Sequence, residues 1–86
     1  MSTRVAIVTG AAQGIGLAIA LRLADDGLDV AINDIPSKSE AIDNAVKVVK
    51  AKGRKAIAIP GDVSSEEDVK NMIEKTASEL GSLDVV

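Results

Sequence analysis

The apolar positions of this chain switch period several times along its length, and each switch marks an element. Residues 5–9, Val-Ala-Ile-Val-Thr, form a continuous run rich in β-branched side chains, the pattern of a strand covered on both faces. Gly10 ends it. Residues 14–26 then read as a helix that is apolar almost all round (Ile15, Leu17, Ala18, Ile19, Ala20, Leu21, Leu23, Ala24), and such a helix is expected to be buried on most sides. Gly27 stands where a helix C′ residue belongs. Residues 28–33 give a second buried strand. A second helix is predicted over 39–52, with Ile42, Ala45, Val46 and Val49 on one stripe, Lys47, Lys50 and Lys52 mostly away from it, and Gly53 closing it. Residues 55–60 form the third strand, centred on Ala56, Ile57, Ala58 and Ile59. Ser64-Ser65-Glu66-Glu67 reads as a capping box, with Ser64 as N-cap and Glu67 at N3. The helix it opens carries Val69, Met72, Ile73, Thr76 and Leu80 on one face and ends at Gly81, after which residues 83–86 begin a fourth apolar strand.

The order β-α-β-α-β-α-β with short connections predicts the α/β class, a parallel sheet with helices on both faces. Right-handed crossovers leave few topologies. The expected one is a partial doubly wound (Rossmann) sheet with strand order 3-2-1-4.

Composition narrows the chemistry. The 86 residues suit one domain at most, 47% hydrophobic and 27% charged, and without Phe, Trp or Tyr the core must be built from Ala, Val, Ile and Leu. A net charge of −3 argues against a nucleic-acid partner, which demands a basic stripe. The run of Lys and Arg from Lys47 to Lys55 alternates with Val, Ala and Gly and reads as a solvated face. With neither Cys nor His, disulfides, thiolate and imidazole metal sites and the usual general-base constellations are excluded, and no metal site is expected. The first residues carry neither a signal-peptide nor a membrane-span pattern, so a cytoplasmic location is the expectation.

The candidate site begins at Thr9-Gly10-Ala11-Ala12-Gln13-Gly14-Ile15-Gly16, between a strand and a helix, the context of a phosphate-binding loop. Gly10 permits a tight turn off the strand. Gly14 lets backbone approach a pyrophosphate without a Cβ in the way, and Gly16 lets the helix pack closely on the strand. Unpaired N–H groups and the positive dipole end then favour phosphates. Read alone, three such glycines could also serve only to make a turn.

T-G-x-x-x-G-I-G resembles the coenzyme loop of the short-chain dehydrogenase/reductase family. Gly61-Asp62-Val63 resembles that family's D-V step beside the adenine ring, and Leu83-Asp84-Val85-Val86 resembles the fourth strand that leads into its N-N-A-G segment. The resemblance covers essentially the whole chain, and residues 5–34 most resemble the diacetyl/acetoin reductase and butanediol dehydrogenase branch. It implies a dinucleotide site built from Gly10, Gln13, Gly14, Ile15, Gly16, Asp34, Asp62 and Val63.

Asp34 follows Gly16 by 18 residues, near the spacing of a ribose-binding acid. Its carboxylate can accept both adenosine-ribose hydroxyls. A 2′-phosphate would bring like charge within about 4 Å, a repulsion on the order of 4 kcal/mol per charge pair at an effective dielectric near 20. Ile35 and Pro36 follow directly, Gln13 and Ile15 are neutral, and Lys38 is the nearest cation. NAD is therefore expected rather than NADP. Asp34 could instead cap the turn at 36–39, Asn33 could share either role, and Gly-Asp-Val-Ser at 61–64 could be only a turn into a capped helix. Asp25-Asp26 and Glu66-Glu67 read as structural.

The resemblance implies hydride transfer between the coenzyme and an alcohol/ketone pair, with a Y-x-x-x-K pair, a Ser and an Asn. This sequence has no Tyr, and no catalytic residue is carried over to any position. Residues 1–86 are expected to be the N-terminal part of a dinucleotide-binding domain that stops before the catalytic segment. The alternative is a small non-catalytic protein that binds a nucleotide or a partner. As an apolar edge without Lys, Pro or bulge, residues 83–86 would favour self-association.

Overall fold

The computed structural model describes residues 4–81. Strand β1 (Val5–Val8) leads through the glycine loop into helix α1 (Gly14–Asp25), followed by β2 (Asp29–Ile32). A single 3-10 turn (Pro36–Lys38) enters α2 (Ser39–Ala51), and β3 (Ala56–Ala58) and α3 (Glu66–Leu80) complete the order. The strands are shorter than the apolar runs that predict them, and backbone bonds from the Asn33 amide to the Val8 carbonyl and from the Ile59 amide to the Ile32 carbonyl continue past their ends.

All three strands are parallel, in the order β1-β2-β3, with Val5 opposite Asp29, Val8 opposite Ile32 and Ile32 opposite Ala58. The α/β class is as the alternation predicted. The fourth strand, its place in a 3-2-1-4 order, and self-association through residues 83–86 fall outside the described residues. Along β2 successive side chains alternate faces. Val30 and Ile32 meet Ala20 and Ala24 of α1 and Ile42, Ala45 and Val49 of α2, whereas Ala31 joins Ile7, Ile59 and Met72 of α3. One face of the sheet thus carries α1 and α2, the other α3. Each fully buried Val or Ile in these layers contributes about 1.5–3 kcal/mol.

Two sequence expectations are corrected. Helix α1 is not buried on most sides: Ala20 and Ala24 are its buried residues, while Ile15 is 82% and Ile19 49% exposed. Only one side of the helix faces the core, with Leu17, Leu21 and Leu23 partly buried beside Ala20 and Ala24, so uniform apolarity does not give uniform burial. The α3 cap is Ser65, not Ser64, and its hydroxyl accepts the amide of Asp68 rather than Glu67. Ser64 is occupied elsewhere, donating through both its amide and its hydroxyl to Asp62 Oδ1 at 2.8 and 2.7 Å.

At the end of the sheet opposite the loop, the buried Asp29 accepts the Lys55 amide at 2.9 Å. Lys52 reaches Asp25 at 2.7 Å and Arg54 donates to the Gly27 carbonyl at 2.8 Å. Two cations of the basic run thus sit at the C-terminal end of α1, where the helix dipole favours them. On the outer side of β3, the ammonium of Lys75 from α3 lies 3.5 Å from the Ala58 carbonyl. Among the described residues no helix is long and apolar enough to cross a membrane.

Candidate functional site

In an open parallel sheet, the loops leaving the C-terminal ends of the strands converge on one rim. Here three of them enclose a cleft of 250 Å³ lined by Thr9 and Gly10 after β1, Asn33, Asp34 and Ile35 after β2, and Gly61, Asp62 and Val63 after β3. Of the residues picked from sequence, Gly10, Asp34, Asp62 and Val63 meet in this cleft. Gln13, Gly14, Ile15 and Gly16 lie beside it at the start of α1 and do not line it.

The loop depends on its glycines in two ways. Gly14 has φ +65°, a left-handed conformation that suits glycine, and the position of an added Cβ has no atom within 4 Å. Gly16 has ordinary backbone, but a Cβ there would overlap the Gly10 carbonyl oxygen and stand 2.7 Å from its carbon. The close packing expected between helix and strand is therefore made against the loop just beyond β1. Leu17 donates to the Gln13 carbonyl at 3.4 Å, and the side chain of Gln13, the N-cap residue, makes no capping bond to the first amides of α1. Those amides, with the dipole of α1 behind them and open space at Gly14, form a place for an anion.

Asp34 is half-buried at the rim. Its Oδ1 accepts the Ile35 amide at 2.8 Å and its Oδ2 the Ala12 amide of the glycine loop at 3.3 Å. It makes no capping bond to the 3-10 turn, which has no side-chain cap. A carboxylate has about four acceptor sites, so two remain for hydroxyl donors.

The Asn33 side chain makes no capping bond to the turn at 36–39 and is turned into the fold. It is 1% exposed, and its amide donates to the carbonyls of Ile59 at 2.8 Å and Gly61 at 3.2 Å, beside Met72 Sδ at 2.9 Å. Those partners are remote in sequence. The one local signal was an amide side chain closing an otherwise apolar strand.

Asp62 is exposed and lines the cleft, and its carboxyl closes the turn that leads to Ser64. The Ser64 hydroxyl first, and the Ser64 amide second, hold that carboxyl below the ordinary aspartate range, against a small opposing effect of desolvation. Because the folded value is depressed, the stabilisation is complete above the free-aspartate pKa of about 3.9 and is lost as pH falls through the lower folded value. In an NMR titration Asp62 is expected to ionise below a free aspartate, and Ser64→Ala to move its midpoint upward. An unmoved midpoint would show that the turn does not set the acidity.

Comparison with known proteins now places this geometry. The family model described as short chain dehydrogenase matches residues 4–86. A short-chain dehydrogenase/reductase of Armillaria gallica is 54% identical over 83 residues, 96% of this chain and 32% of that protein. A 3-oxoacyl-[acyl-carrier-protein] reductase of Staphylococcus aureus is 46% identical over 84 residues, 98% of this chain and 34% of that protein. Among solved structures, a blue fluorescent protein from a metagenomic library, in complex with NADPH, superposes with a TM-score of 0.91 at 37% identity, covering 98% of this chain and 35% of that one. The chain thus spans about a third of the length of the relatives it matches. A parallel sheet with a glycine loop opening α1, matched by the family model over almost every residue, makes this chain a member of the short-chain dehydrogenase/reductase family.

Proposed function

We propose that residues 1–86 are the N-terminal part of a dinucleotide-binding domain and form the adenosine and pyrophosphate side of the coenzyme site of an oxidoreductase that interconverts an alcohol and a ketone. The observation that carries this reading is the bond from the Ala12 amide to Asp34 at the cleft rim: it joins the carboxylate that would take the ribose to the loop that leads into the start of α1. Gly10, Gln13, Gly14, Ile15 and Gly16 would receive the pyrophosphate at the helix start. Asp62 and Val63 would border the adenine, with the exposed apolar side chains of Ile35 and Val63 as its walls. When bound, the coenzyme would give a hydride to the ketone in its reduced form and take one from the alcohol in its oxidised form. No residue of this chain is assigned to proton transfer.

The preferred coenzyme in this reading is NAD. One structural relative carries NADPH, so membership of the family leaves the choice to particular side chains. Here the selecting position holds Asp34, whose free acceptor sites suit two hydroxyls and whose charge opposes a 2′-phosphate. Titrating the chain with NADH and NADPH should show tighter binding of NADH by at least about tenfold, reduced by added salt. Asp34→Ala should narrow that gap. A variant that discriminates as strongly as the parent would remove Asp34 as the selector, and a parent that binds neither would remove the proposed site.

A further inference from the structure

We infer that Asn33, whose side chain is buried, is a positioning residue for the adenosine side of the cleft. This inference rests on the coenzyme-site reading above and adds a residue to it. Three loops form the cleft, and Asn33 bonds to all of them. Its carbonyl accepts the Ala11 amide of the glycine loop at 2.8 Å. Its own amide donates to the Val8 carbonyl, keeping it in register at the end of β1. Its side chain holds the carbonyls of Ile59 and Gly61. Asp34 follows directly, and its carbonyl accepts the Gly61 amide at 3.1 Å.

The chemistry suits an amide at this position. A carboxamide nitrogen carries two hydrogens, and the acceptors around it are the Ile59 and Gly61 carbonyls, Met72 Sδ at 2.9 Å and, more distantly, the Asp34 carbonyl at 3.5 Å. Aspartate has no donor when ionised, and leucine would leave both carbonyls without this partner. The wall beyond Gly61 is held from behind as well: an added Cβ at Gly61 would stand 2.9 Å from Met72 Sδ, so Met72 closes the space into which Gly61 could retreat. Asn33 thereby fixes the distance between Asp34, which would take the ribose, and the Asp62–Val63 wall, which would border the adenine.

The test compares folded, purified full chains by calorimetric titration with NADH and with ADP-ribose, which lacks the nicotinamide. Asn33→Ala is expected to weaken ADP-ribose binding by about tenfold or more, since it removes two buried hydrogen bonds that set the shape of the site. Asn33→Ser keeps one donor and should lie between it and the parent, which retains a measurable variant if Asn33→Ala does not fold. Val49→Ala, in the core beneath α2 and away from the cleft, is the control for general destabilisation. Its folded fraction should bind as the parent does. Parent-like affinity in Asn33→Ser and Asn33→Ala, or an equal loss in Val49→Ala, would overturn the positioning role. A parent that binds neither ligand would overturn the coenzyme site itself, and this inference with it.

Discussion

Gly16→Ala is expected to destabilise the fold by about 3 kcal/mol, the upper end of the usual cost of overpacking. The added methyl would overlap the carbonyl of Gly10, and a backbone carbonyl cannot rotate aside as a flexible side chain can. Relief requires α1 to lift from the loop, and that movement would disturb the contact of Ala20 and Ala24 with β2. For a domain of this size the loss corresponds to a fall in Tm on the order of 12–24 °C. Scanning calorimetry or urea unfolding of the two chains reads it directly. A Tm within a few degrees of the parent would show that loop and helix separate freely and that the close approach is not a constraint.

Gly14→Val should behave in the opposite way, with a modest effect on folding and a severe one on binding. The left-handed backbone at φ +65° costs a residue with a Cβ about 1–2 kcal/mol. No atom waits within 4 Å of that Cβ, so the folded chain has room for the side chain. The same room lies before the uncapped amides of α1, where a pyrophosphate would approach. Affinity for NADH is expected to fall at least about a hundredfold, with Gly14→Ala losing less. Unchanged affinity in a folded Gly14→Val would reduce the loop to a turn. The two glycines are thus separable, one through a melting curve and the other through a titration.

The element order was legible because each boundary carried its own local chemistry. Gly27, Gly53 and Gly81 all end helices with positive φ, and the apolar runs between them are too β-branched or too clearly striped to confuse. The glycine loop and Asp34 were legible for a related reason, since both lie at fixed spacings from those elements. Side-chain partnership across the chain was not legible. Asn33 reaches carbonyls 26 and 28 residues away, and Asp34 reaches back 22 residues to Ala12. Nothing beside Asn33 distinguishes a buried clamp from a rim ligand. The α3 cap lies one residue beyond Ser64 because two adjacent serines are eligible, and Asp62 decides between them by engaging Ser64 and leaving Ser65 to the helix.

The third strand has a consequence for association between copies of this protein. Among the described residues β3 pairs with β2 alone and is only three residues long, and the Lys75 ammonium stands over its Ala58 carbonyl. An incoming strand from another molecule would find few backbone groups to match. It would also have to strip water from a charged nitrogen that offers nothing to a neighbouring amide. A template this short and this guarded is a poor seed for fibril growth, so any intermolecular sheet should start elsewhere in the molecule.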